Sequence, residues 1–245
     1  MNSNEQAFLE NVRKALGKEG EDGGQSLFTR PEPELAHFLE QTKRSREERL
    51  QLLAILKETA VPLNLRVHAV STLDAAADGI AEIARTTDTE WGGKKRITTH
   101  DTPLMAELDL TAKLSGDGIA VDICRFEPGE DEAAGKQRLR GQAEAAYIGV
   151  TGAGWCAVDC AALALLSGPG RGRATSLVPS VHIAVLPLDR LVAELSEIYA
   201  HLEALDPMPA AVTFISGPSK TADIEAQLVH GAHGPREMHL FVVTG

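Results

Sequence analysis

The stretch LRVHAVSTLDAAADGIAEIAR, residues 65–85, sets a β-branched apolar hexapeptide directly before an alanine-rich segment. Leu65–Val70 suits a strand, and Leu73–Arg85 carries the apolar spacing of a helix lying behind it. The alternation recurs along the chain. Arg96–His100 and Gly118–Ile123 read as strands, Phe126–Gly135 as an acidic surface loop, and Arg138–Ala146 as a helix. Tyr147–Thr151 reads as a strand ending in the turn Gly152-Ala153-Gly154. Ala161–Leu166, Val181–Leu186, Val212–Ser216 and Met238–Val243 are further short apolar strands, with a helix expected over Leu188–Leu205. Short strands alternating with helices imply an α/β protein with an open, mainly parallel sheet covered by helices on both faces. In such sheets ligands enter at the strand carboxyl ends. No internal period is visible, which excludes a solenoid.

Upstream of this pattern, Gln6–Leu16 has the spacing of a short amphipathic helix and Gly17–Gln25 reads as a glycine-rich tether. Glu34–Thr59 reads as one long helix whose middle, Lys43–Arg49, is almost wholly charged. Two readings stay open for it: a solvated arm, or a helix that packs on a second copy and makes a homo-oligomer. The expected organisation is therefore an N-terminal helical arm over 1–60 and an α/β domain over 61–245.

Composition narrows the function classes. Hydrophobic residues make up 43% of the 245 and charged residues 24%, which excludes disorder as the main state. Lys and Arg number 24 against 35 Asp and Glu, a net charge of −11, so nucleic acid and anionic membrane surfaces are not expected partners. No apolar run is long enough to span a bilayer, and the polar first residues lack a leader's basic and apolar regions, so a cytoplasmic location is expected. The three cysteines, Cys124, Cys156 and Cys160, make neither a disulfide framework nor a four-thiolate cluster. With no metal-binding spacing beyond His230-x-x-His233, neither metal nor cofactor is expected.

Three Gly-Pro loops in the C-terminal half are each followed by a cation: Gly168-Pro169-Gly170-Arg171-Gly172-Arg173, Gly217-Pro218-Ser219-Lys220-Thr221 and Gly234-Pro235-Arg236. Glycine admits close backbone approach, and proline stiffens the turn. Ser219, Lys220 and Thr221 read as opening a helix at Ala222-Asp223-Ile224-Glu225, whose free N–H groups suit an oxyanion. A small organic anion or phosphate held by Arg171, Arg173, Ser219, Lys220, Thr221 and Arg236 is the expectation, provided that the loops converge. His233, beside the last loop, is a candidate acid/base group. Asp159, the one charge in the apolar run Trp155–Leu166, would either pair with Arg171 or Arg173 or face the crevice as a base or nucleophile. His182 and His239, inside strands, are expected to be structural. Walker, dinucleotide and nucleophile-elbow fingerprints are missing.

Four segments, Ile148–Ala153, Ser180–Val185, Thr213–Glu225 and Gly231–Glu237, resemble the LUD-domain family. The resemblance covers about residues 60–243, and its most specific part is F-I-S-G-P-S-K-T-A-D-I-E with the following H-G-P-R-E. It implies a fold similar to the sugar-phosphate isomerase and CoA-transferase group. It also implies a role in oxidising L-lactate to pyruvate beside two iron–sulfur partner proteins, which would carry the clusters that this chain cannot hold. It supplies no catalytic residues and leaves a stand-alone enzyme of the CoA-transferase, sugar-phosphate isomerase or folate cyclo-ligase kind as the alternative. Where many relatives have an acid followed by Thr-Gly, this chain reads Asp159-Cys160-Ala161-Ala162: the carboxylate is kept and the turn is not.

Overall fold

The computed structural model describes residues 3–15, 32–90, 92–222, 228–230 and 233–245. The tether at Gly17–Gln25 and the helical reading of 223–225 lie outside them. The chain divides into two compact units, Met1–Phe38 and Leu39–Gly245. The first holds α1 (Ser3–Ala15), and α2 (Glu32–Gln41) spans the boundary.

α3 (Arg46–Ala60) is a separate helix, so the single long helix expected over Glu34–Thr59 is two. The break has a local cause. Ser45 adopts an extended backbone and forms a capping box with Glu48: the Glu48 N–H donates to Ser45 Oγ at 3.2 Å and the Ser45 N–H to Glu48 Oε2 at 2.7 Å. α3 is no solvated arm. Leu53, Leu56 and Ala60 are buried against the sheet, and a leucine as fully buried as Leu56 stabilises the fold by about 2 kcal/mol. The helix lies within the second compact unit, upstream of the expected start at 61.

A 3₁₀ turn, Val61–Leu63, leads into β1 (Leu65–Val70) and then α4 (Leu73–Thr86), capped by Thr72 Oγ1 accepting from the Ala75 N–H at 3.1 Å. β2 (Arg96–His100), α5 (Pro103–Leu108), α6 (Leu110–Lys113), β3 (Ala120–Cys124) and α7 (Glu132–Ala145) follow. α7 begins inside the expected loop Phe126–Gly135, because the Asp131 carboxylate caps it. Next come β4 (Ile148–Gly152), β5 (Trp155–Ala157), β6 (Ala162–Ser167), α8 (Ala174–Leu177) and β7 (Val181–Pro187). The helix expected over Leu188–Leu205 divides into a 3₁₀ turn, Leu188–Arg190, the two-residue β8 (Leu191–Val192) and α9 (Leu195–Glu203). Leu191 and Val192 are drawn out of helix by pairing with Cys156 and Ala157. β9 (Ala211–Ile215), β10 (Lys220–Ala222), β11 (Leu228–His230) and β12 (Glu237–Val243) complete the chain.

Six strands form one sheet in the order β1-β12-β7-β4-β2-β3, all parallel, as the sequence implied. α4, α5 and α6 cover one face through Ile80, Leu108, Ile97, Ile148 and Ile183. On the other face lie α3, α7, α8 and a second sheet, β8-β5-β6-β9. This second sheet corrects the expectation that β6 and β9 join the parallel one. Only the turn 158–161 separates β5 from β6, far too short for a crossover, so the two pair antiparallel. β9 then pairs antiparallel with β6. Trp155, Ala164, Ile198 and Leu202 make its outer core.

Candidate functional site

β9 runs into the Gly217-Pro218-Ser219-Lys220 loop. Gly217 sits at φ +80°, and a Cβ on it would lie 2.4 Å from the Leu63 carbonyl oxygen, so only glycine lets the loop cross the turn that precedes β1. The Ser216 hydroxyl donates to the Cys160 carbonyl at 2.7 Å, fixing the loop to the β5–β6 turn that carries Asp159. The Ser219 N–H donates to the Pro235 carbonyl at 2.7 Å, and Gly234 packs on the Ser219 side chain. The Arg236 N–H donates to the Ser180 carbonyl at 2.9 Å, at the start of β7. Three segments are thereby tied together at the amino edge of the parallel sheet: the Asp159 turn, Ser216–Lys220, and His233–Arg236.

The side chains here are unequally available. The Lys220 ammonium is exposed and reaches the Pro62 carbonyl at 3.4 Å. His233 is exposed. The Arg236 guanidinium is taken up by Glu90 at 3.1 Å. Asp159 is exposed and pairs with neither Arg171 nor Arg173; its N–H donates to the Ala193 carbonyl at 3.0 Å. The Cys160 thiol is pushed up by burial and by its hydrogen bond to the Asp159 carboxylate, so it stays protonated. Ala161 is buried at φ +47°. Thr221 lies in β10, whose pairing with β11 replaces the helix start expected at Ser219-Lys220-Thr221.

The first Gly-Pro loop is elsewhere. The Asp101 N–H donates to the Gly170 carbonyl at 2.8 Å, and His100 Nε2 contacts the Gly172 carbonyl at 3.3 Å. These contacts hold Arg171 and Arg173 beside the end of β2, at the carboxyl edge. The three loops therefore do not converge. The reason is the antiparallel pairing of β6 with β9, Ser167 opposite Ala211: strands that run in opposite directions send their following loops to opposite ends of the molecule.

Residues 53–243 match the LUD domain. The chain belongs to the LUD-domain family. Similar relatives include lactate utilization protein C of Halalkalibacterium halodurans, 33% identical over 94% of this chain and 93% of its own length. That of Bacillus subtilis strain 168 is 26% identical over 98% and 96%. Among solved structures, a DUF162 family protein from Deinococcus radiodurans superposes with a TM-score of 0.52 at 21% identity, covering 82% of this chain and 99% of that one, a likeness of fold alone.

The carboxyl edge of the LUD sheet holds an open crevice of about 650 Å³ between the ends of β1, β12 and β7 and the start of α4. Arg46 and Arg49 of α3 line it, and Arg46 Nη2 donates to the Thr244 carbonyl at 2.7 Å. Sequence reasoning missed both arginines because they fall in the charged run Lys43–Arg49. The signal was present: Ser45-x-x-Glu48 marks a helix start, and Arg49 then shares the stripe of Leu53, Leu56 and Ala60.

His100 and His182 lie on the face of the LUD sheet that α8 covers, His182 at 2.9 Å from Thr151 Oγ1. His182 is wholly buried in β7, and His239 is held by Glu237 at 2.9 Å and stacked on His68. Burial pushes His100 down to about 4 and His182 down to about 3. Both rings are neutral in the folded protein, whereas the unfolded chain takes up protons below about pH 6.5. Stability is therefore full above that pH and falls as pH drops towards the folded values, by about 2 kcal/mol for each ring at pH 5. Urea midpoints measured from pH 7.5 to 5 should fall steadily, and a flat profile would contradict the burial of these rings.

Proposed function

We propose that this chain is a component of an L-lactate utilisation system. It acts beside iron–sulfur partner proteins and binds a small organic anion at the amino edge of the parallel sheet. The observation that carries the reading is the match to lactate utilization protein C at 33% identity over 94% of the chain. The geometry supports an anion there through Ser219 and Lys220, joined by the Ser219–Pro235 hydrogen bond to the His233 loop. In this reading Thr221 adds backbone contacts from β10, Arg236 contributes only if it leaves Glu90, and Arg171 and Arg173 belong to a separate contact at the other edge. In this reading His233 and Asp159 exchange a proton with the anion. The chain carries no cluster ligands of its own in this scheme, and electrons pass to the partners.

Deleting the gene from its host should abolish growth on L-lactate as sole carbon source, and the wild-type gene should restore it. Undiminished growth of the deletion strain would overturn the reading. By calorimetry with lactate and pyruvate, Lys220→Ala should weaken binding tenfold or more, about 1.4 kcal/mol. A stand-alone enzyme is favoured only by the shared edge of Asp159 and Lys220. Turnover by the purified chain, abolished in Asp159→Asn, would establish it.

A further inference from the structure

A smaller recess of about 310 Å³ adjoins the carboxyl-edge crevice, and the two share Arg49 and Asp189 in their walls. Their characters differ. The larger crevice is walled by Leu73, Leu104, Pro187, Leu188 and Val243. The smaller is walled by Lys43, Arg44, Arg49, Arg190 and His201, with Asp189 as its one acid. In a chain of net charge −11 this is a local reversal of sign.

Two of these cations are already neutralised: Arg44 by Glu197, and Lys43 by Glu40. Arg49 and Arg190 have no carboxylate partner among the described residues. The Arg190 guanidinium stands 5.5 Å from the centre of the Trp155 ring, and His201 stacks on the same ring at 5.1 Å. Burial pushes His201 down, and Arg190 and Arg49 add to this, so its ring is a neutral hydrogen-bonding group. Arg49 Nε is fully shielded from water and meets no acceptor. A buried donor on a charged group left without an acceptor is costly, and an oxyanion between Arg49 and Arg190 would give both guanidinium groups a charged partner.

We propose that this two-part cleft binds an amphiphilic organic anion, its oxyanion head between Arg49 and Arg190 and its apolar body in the crevice beside Leu104, Leu188 and Val243. A three-carbon acid is too small to fill such a space, and a purely apolar ligand would leave both guanidinium groups unmet. The site is separate from the Lys220 edge and independent of the lactate reading, whose growth test neither requires nor affects it.

Isothermal titration of the full chain with decanoate tests this. One equivalent of decanoate should bind, and decyltrimethylammonium, lactate and inorganic phosphate should each bind at least tenfold more weakly. Arg49→Gln should weaken decanoate at least tenfold without lowering the melting temperature, since the guanidinium it removes has no hydrogen-bond or ion-pair partner among the described residues. Arg190→Gln should weaken decanoate to a like extent and serves if the first variant fails to fold. Decanoate that does not bind, that binds folded Arg49→Gln and Arg190→Gln as tightly as wild type, or that binds no better than the cationic amphiphile would overturn the proposal. Equal affinity for lactate or phosphate would overturn the role of the apolar crevice.

Discussion

A Gly149→Ala protein should lose ~3 kcal/mol or more of stability, enough to leave little folded material at 37 °C. Gly149 sits in β4 under α8, and a Cβ there would lie 1.7 Å from the Thr175 carbonyl oxygen and 3.1 Å from Pro179 Cγ. The obstacle is backbone, so no rotamer change relieves it, and α8 would have to lift off the sheet. With α8 go the buried Thr175 and Ser176 and the cover over Thr98, Thr151 and His182. Gly141, in α7, is the internal control. A Cβ there meets nothing within 4 Å, and Gly141→Ala should stabilise by about 0.5–1 kcal/mol through helix propensity. Urea unfolding of both proteins decides the matter, and equal midpoints would contradict the packing of α8 on β4.

Breaking the ion pair under the basic recess should have an effect of similar size. The Glu197 side chain is 3% exposed and is held by Arg44 through two hydrogen bonds, at 2.5 and 2.7 Å. The Ala193 N–H adds a third at 3.2 Å. Arg44→Met leaves that carboxylate buried with a single backbone donor, a loss of about 3–5 kcal/mol. Replacing both partners, Arg44→Met with Glu197→Leu, should recover most of the loss, because the penalty belongs to the stranded charge rather than to the missing contact. A double-mutant cycle by denaturant unfolding measures the coupling. A double variant no more stable than Arg44→Met would show that the loss comes from elsewhere.

Much of the parallel sheet was legible because its strands are short apolar runs between helices. β1 and β2 fall on the residues expected, and β4, β7 and β12 fall within a residue or so of them. Two of the misread strands share a cause. β5 and β8 are three and two residues long, below the length at which periodicity registers, and their pairing with each other is what forms them. At the candidate site, the residue types near the amino edge were legible from Gly-Pro loops and lone cations. Which cations remain free was not: Arg236 lies far in sequence from Glu90, and no local pattern announces their contact.

The sequence by itself determined the α/β class and the helix caps, because each depends on residues within one turn or strand. Only the tertiary structure decided that β6 and β9 run antiparallel. That pairing separates Arg171 and Arg173 from Lys220, and the packing of α3 gathers Arg49 and Arg190 into a recess that no stretch of sequence describes. Charges and loops meet according to strand direction and long-range packing, and both are properties of the whole chain rather than of any local segment.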